Sequence, residues 1–312
     1  MIKKLGIALG SGSSRGWSHI GVLNALEESE IKVDYISGTS IGSLVGAVYS
    51  IGDIKAFEKF ARSIDWKNIV SFIDVSFPVS GLISGKKLFK MLSEYYGESV
   101  IENLPIPYCA VAADVITGEE IRFNSGRVID SVRASVAIPG VFTPFEHEGR
   151  VLVDGGIVNP VPVNVVRKMG ADIVIAVDLN SCTKKDDGGV SYDIVGADFV
   201  DYEDDKLKNR EKRIVEMLEE KYLEITGAIR EKFDRLRNRE HHLNILEIID
   251  NTTHIMQRSI TENQFKINSP EVIIKPQLGD FRLLDFDRAV EAIDEGYKLT
   301  MMQIDKIKSL LH

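Results

Sequence analysis

The chain has 312 residues, 44% of them hydrophobic and 27% charged, and a formal net charge of −9. That is enough sequence to bury a core without disulfide or metal staples, in one large α/β domain or two small ones, and the composition excludes the disordered and fibrous classes. The acidic balance argues against nucleic-acid binding and gives no electrostatic help toward anionic bilayers.

Met1 to Lys4 followed by the apolar run Leu5–Leu9 imitates a signal peptide, but the run is about half the length such a segment needs, so it reads as a strand. Short β-rich apolar runs recur at Tyr35–Ser37, Tyr108–Ala113, Glu120–Phe123, Val151–Val153 and Ile173–Asp178. Helical patterns fall between them at Gly16–Glu28, Ile41–Ile51, Lys55–Ser63, Lys86–Tyr95 and Val161–Met169. This rhythm predicts a largely parallel sheet covered on both faces, with the active site beyond the carboxyl ends of the strands.

Past Cys182 the chain becomes charge-dense. Ile214, Leu218, Tyr222, Ile225, Ile229, Phe233 and Leu236 step by three and four, the spacing of one face of a long amphipathic helix, and Leu243 to Ile260 carries a second helical pattern. The strand-like Glu271–Lys275 and a closing helix over about Phe286–Leu311 return to the style of the first part. The expected organisation is a single domain over 1–312, with a core of 1–183 and 263–312 and a helical excursion at 184–262. The polar face of the first excursion helix mixes Glu216, Glu219, Glu220 and Glu224 with Lys221, Arg230, Lys232 and Arg235. Interfacial helices favour a basic polar face, so this one suits packing on its own domain, or on a second copy through the 206–260 helices, better than docking on lipid.

Cys109 and Cys182 have no metal-ligand spacing and suggest neither a disulfide framework nor a zinc site, which fits a reducing, cytoplasmic setting. No stretch approaches the roughly 20 apolar residues of a membrane span, so membrane contact, where it occurs, is expected to be peripheral, at the inner membrane surface.

Gly38-Thr39-Ser40-Ile41-Gly42 matches G-x-S-x-G between an extended segment and an apolar helix. A sharp strand-to-helix turn there would force Ser40 into strained backbone geometry, and the N-terminus of the following helix would favour developing negative charge. A serine hydroxyl needs a base, yet none of His19, His147, His241, His242, His254 and His312 occupies the late loop position of an α/β-hydrolase base. His147 sits beside an expected hairpin turn. Asp154 ends an apolar strand in Val153-Asp154-Gly155-Gly156. On its own this reads first as a turn, but a carboxylate buried there would have a raised pKa suited to a base. The loop Gly10-Ser11-Gly12-Ser13-Ser14-Arg15-Gly16 leads from the first strand into a helix and forms an anion cradle of backbone N–H groups. The absence of Gly-Lys-Ser/Thr excludes a nucleotide phosphate loop, Arg15 spoils a dinucleotide fingerprint, and an oxyanion hole accounts for the loop and Ser40 together.

The order of these three motifs, glycine-rich loop with Arg-Gly, G-x-S-x-G, then Asp-Gly-Gly, resembles the bacterial patatin-like phospholipases, and among them single-domain members of the RssA type. The likeness extends to Trp17 through Leu23, Arg133-Ala134-Ser135 with Ile138-Pro139-Gly140, Asn159-Pro160-Val161-Pro162, and Gly279-Asp280 with Leu284-Asp285-Phe286. It covers about 1–180 and 270–311 and leaves the excursion without a counterpart. The resemblance implies a three-layer α/β/α fold and a serine esterase that hydrolyses acyl esters of phospholipids or lysophospholipids through a Ser-Asp dyad, with no cofactor and no metal. Ser40 would be the nucleophile and Asp154 the proton acceptor. Gly12, Ser13 and Arg15 occupy the oxyanion-hole motif, and Gly10, Gly16, Gly38, Gly42, Gly155 and Gly156 support the motifs. The commonest form of the loop has consecutive glycines where Ser11, Ser13 and Ser14 stand, and serine disfavours a left-handed backbone. That departure keeps open a weakly active or inactive protein of the same fold that binds lipid or regulates, and an acyltransferase stays open as well because it shares the acyl-enzyme.

Overall fold

A computed structural model of the chain describes residues 3–65, 69, 84–181 and 245–312. Residues 1–185 and 250–312 form one compact unit; 186–249 form a second, of which only 245–249 are among the described residues. The amphipathic pattern from Ile214 to Leu236 and Cys182 lie outside them.

Among the described residues, eight strands make one sheet: β1 (Leu5–Leu9), β2 (Tyr35–Thr39), β3 (Tyr108–Asp114), β4 (Glu120–Phe123), β5 (Phe145–His147), β6 (Arg150–Asp154), β7 (Ile173–Val177) and β8 (Val272–Ile274). The order is β5-β6-β3-β2-β1-β7-β8, with β4 also paired to β3. β3, β2, β1, β7 and β8 run parallel, while β4, β5 and β6 add antiparallel pairings. The hairpin expected near His147 turns one residue later: His147 closes β5, and Glu148 and Gly149 take positive φ of 49° and 76°.

The helices are α1 (Ser18–Glu28), preceded by a 3-10 turn over Ser13–Trp17, then α2 (Ile41–Ile51), α3 (Ile54–Ser63), α4 (Lys86–Tyr96), α5 (Val128–Ser135), α6 (Val163–Met169), α7 (Ile245–Ile267), α8 (Ala289–Met301) and α9 (Ile304–Leu311). Strand alternation sorts them into two layers. Leu5, Ile7 and Leu9 of β1, Tyr108, Ala110 and Ala112 of β3, and Ile173, Ile175 and Val177 of β7 join the large core formed with α1, α2, α5, α8 and α9. The alternate residues Ala8, Val174 and Ala176 pack on Val163 and Val166 of α6 and on Phe265 of α7, and Cys109 and Val111 pack on Val165. The result is the three-layer α/β/α arrangement. The closing helix, expected as one element, breaks between α8 and α9, where Gln303 N–H bonds back to Thr300 O at 2.8 Å; Ile304 and Ile307 then both reach the core. Among the described residues no helix is long and apolar enough to cross a membrane.

Candidate active site

Strand β3 brings the two distant motifs together. β4 covers one edge of β3 from Ala110 to Ala113, so β2 and β6 share the other. β2 runs parallel to β3 and stops with Thr39 opposite Val111; β6 runs antiparallel and stops with Asp154 opposite Ala112. The two strands end tip to tip, and Ser40 and Asp154, 114 positions apart, emerge side by side. Ser40 Oγ donates a hydrogen bond to Asp154 Oδ2.

Ser40 occupies the turn between β2 and α2 at φ 57° and ψ −127°, a conformation that a side-chain-bearing residue keeps only where its surroundings hold it. The Ser40 N–H donates to Ser135 Oγ at 2.9 Å, and the same hydroxyl donates to Val111 O on β3 at 2.5 Å. Ser40 O accepts from Ser43 N–H at 2.9 Å and from Ser43 Oγ at 2.6 Å. The turn also needs a close crossing: a Cβ on Gly42 would lie 2.2 Å from Leu9 O, so only glycine fits there. Gly38 lies in β2 opposite Leu9.

Asp154 is 4% exposed, and burial pushes its carboxyl up to about 6. Two hydrogen bonds pull the other way, one from Ser40 and one of 2.7 Å from Gly156 N–H to Oδ1. Desolvation is the larger effect, so the carboxylate is ionised at neutral pH yet basic enough to take a proton. Gly155 and Gly156 begin a 3-10 turn directly after it.

The β1–β2 register sends the glycine-rich loop out of the same sheet edge as Ser40. Gly10 N–H is tied to Val177 O at 3.0 Å and Ser11 N–H to Pro160 O at 2.9 Å. Among the described residues, the N–H groups of Gly12 and Ser13 make no hydrogen bond, which leaves them as donors for an anion. Of Ser11, Ser13 and Ser14, only Ser13 has a left-handed backbone, at φ 50°. Each of the three hydroxyls is anchored far along the chain: Ser13 Oγ to Leu283 O and Ser14 Oγ to Arg282 O, both at 2.6 Å, and Ser11 Oγ to Gln257 Oε1 at 3.1 Å. Arg15 is buried; its Nε donates to Gly12 O at 3.2 Å and its Nη2 lies against His254, a geometry that orients the loop. Gly16 sits in the 3-10 turn against the Ile41 side chain.

Residues 7–167, more than half of the chain, match the family model described as patatin-like phospholipase. The chain belongs to the patatin-like phospholipase family. An uncharacterised NTE family protein of Mycobacterium tuberculosis is 40% identical over 177 residues, which are 57% of this chain and 49% of that protein. Patatin-like phospholipase domain-containing protein 6 of Homo sapiens is 35% identical over 189 residues, 58% of this chain and 14% of that protein. The match thus spans about half the length of the mycobacterial relative. Among solved structures, VipD from Legionella pneumophila is similar over 98% of this chain and 67% of its own, at 16% identity and a TM-score of 0.45.

In this patatin-like chain no described histidine is hydrogen-bonded to Ser40. His19 is fully buried, and Nε2 donates to Gly10 O at 2.8 Å; burial lowers its pKa to about 4, so it is a neutral brace for the loop. His147 pairs with Arg150 at the far end of β6, four residues or about 13 Å from Asp154, and stacks on Phe145. His254 pairs with Asp250 and Arg15, His312 is the last residue, and His241 and His242 lie outside the described residues. Among the described residues no three or more His, Cys, Asp or Glu side chains are grouped to hold a metal.

Three polar residues at the site went unread in the sequence. Ser135 was visible only within the Arg133-Ala134-Ser135 likeness. Asn180, whose Nδ2 reaches Ser11 O at 3.2 Å and Gln257 Oε1 at 2.9 Å, follows β7 where a loop residue attracts no notice. Gln257 is one polar residue in a helical pattern, and only its burial distinguishes it.

Proposed function

We propose that the chain is a lipid acyl hydrolase of the phospholipase A or lysophospholipase type, with Ser40 as nucleophile and Asp154 as its base. The observation that carries this reading is the hydrogen bond from Ser40 Oγ, on a strained strand-to-helix turn, to a buried carboxylate whose pKa is raised to about 6. Ser40 Oγ attacks the ester carbonyl carbon while its proton passes to Asp154 Oδ2. The N–H groups of Gly12 and Ser13 and the N-terminus of α2 stabilise the tetrahedral oxyanion. As the intermediate collapses, Asp154 returns the proton to the departing alcohol oxygen and leaves an acyl-Ser40 ester. A water molecule, giving its proton to Asp154, then attacks the acyl carbon, and as the bond to Ser40 breaks Asp154 passes that proton to Ser40 Oγ, releasing the fatty acid and restoring the dyad.

The shared fold and family support a lipid ester as substrate, and the single patatin-like core of 1–183 and 263–312 contains every residue the proposed mechanism uses. The test is turnover of a phosphatidylcholine and a lysophosphatidylcholine by the wild-type chain, Ser40→Ala and Asp154→Asn, with folding checked by circular dichroism. The wild type should release fatty acid, and both variants should fall by about a thousandfold or more. Full activity in either folded variant would refute the dyad.

A further inference from the structure

The family-matched stretch stops at residue 167, yet a buried side chain far beyond it joins the two loops of the site. Gln257, on α7, accepts two hydrogen bonds at Oε1, one from Ser11 Oγ at 3.1 Å and one from Asn180 Nδ2 at 2.9 Å. Asn180 Nδ2, which also donates to the Ser11 carbonyl, can only donate, so the carboxamide has one orientation, with Oε1 toward the glycine-rich loop and Nε2 toward the Asp-Gly-Gly turn. A Cβ built on Gly156 would meet Nε2 at 2.3 Å, Asp154 Oδ1 at 3.0 Å and Ser11 Cβ at 3.2 Å. The amide nitrogen, the dyad carboxylate and the loop serine therefore surround one point that only a glycine leaves open.

We propose that Gln257 is a positioning residue for the acyl-transfer reaction, setting the serine-substituted oxyanion loop against the Asp154-Gly155-Gly156 turn. The inference rests on the proposed hydrolase function. Glycine at position 11 would keep only the backbone bonds to Pro160 O and from Asn180 Nδ2; Ser11 adds a hydroxyl, and α7 supplies its acceptor. Asn180, at the end of β7, closes the triangle by also donating to Ser11 O and Ser11 Oγ, both at 3.2 Å. The donors of an oxyanion hole act on the transition state and not on the bound ester, so loosening this triangle lowers kcat and leaves KM nearly unchanged.

The experiment measures kcat, KM and Tm for Gln257→Ala, Ser11→Ala and the double variant on the ester that the wild type turns over. Gln257→Ala should lose roughly tenfold to a hundredfold in kcat, the cost of a loop misplaced by about 1 Å, with KM within about twofold. Ser11→Ala removes one oxygen and should fold as the wild type does; it should lose several-fold in kcat at nearly unchanged Tm, and should cost less than that once Gln257 is alanine, because both substitutions break the Ser11–Gln257 bond and only the Asn180 bond to Ser11 Oγ is left to lose. A folded Gln257→Ala with wild-type kcat, or losses that multiply in the double variant, would overturn the inference while leaving the dyad intact. If Gln257→Ala does not fold, Ser11→Ala decides alone: unchanged kcat overturns the proposal. A wild type without turnover overturns the proposed function, and this inference with it.

Discussion

Replacing Asp154 by asparagine should make the protein inactive and more stable at the same time. The dyad carboxyl has a pKa of about 6 in the folded chain, against about 4 for an ordinary aspartate in the unfolded one. The folded state therefore binds the proton more tightly, and stability falls as pH rises from about 4 to about 6. Above that range the cost of keeping the buried group ionised is fully present. At 1.36 kcal/mol per pH unit it amounts to roughly 3 kcal/mol. Asparagine has the same shape and no charge: Oδ1 can still accept the Gly156 N–H, and Nδ2 can donate to Ser40 Oγ, which reverses that bond instead of deleting it. At pH 8 the variant should gain up to about 3 kcal/mol, on the order of 5 °C in Tm for a chain of this size. Near pH 4, where the wild-type carboxyl is also neutral, the gap should close. Thermal unfolding of both proteins at pH 4 and pH 8 measures it. An asparagine variant no more stable than the wild type at pH 8, or a gap that does not change with pH, would refute the argument that burial works against the charge.

The same carboxyl sets the rate profile: kcat/KM should rise with pH through about 6 as Asp154 ionises and then level off, and a fall between pH 5 and 8 would contradict its role as base. Ser135→Ala leaves the buried Ser40 N–H without its acceptor and removes the hydroxyl that donates to Val111 O, and should cost about 1–3 kcal/mol in urea unfolding together with a fall in kcat. His147→Ala should keep activity within about twofold, since the ring stacks on Phe145 at the far end of β6; a large loss would revive a histidine-dependent mechanism.

Much of the frame was legible because it is written in local pattern. β1 and α2 match their expected limits, since each is an apolar run bounded by glycines or by a polar turn. α5 was missed: at eight residues it is too short for a helical period to stand out, although Val128, Val132 and Ala134 reach the core. The Ser40 motif could be read from its strand-turn-helix setting. Its partner could not be read with the same force, because what joins Ser40 to Asp154 is β3, whose edge pairs the tip of β2 at Val111 and the tip of β6 at Ala112. The serine-substituted loop looked like a weakness in the sequence. In the fold Ser11, Ser13 and Ser14 each use the hydroxyl that a glycine lacks, and their partners stand more than 240 positions away, beyond the reach of any periodicity or spacing argument.

The most direct test of the Ser40-Asp154 dyad is the site and rate of labelling by a fluorophosphonate, an electrophile that an unactivated serine resists. Peptide mass spectrometry of the labelled wild type should place the adduct on Ser40, and Asp154→Asn should abolish labelling although the protein remains folded. An adduct on another serine, or equal labelling of Ser40 in the asparagine variant, would contradict the account.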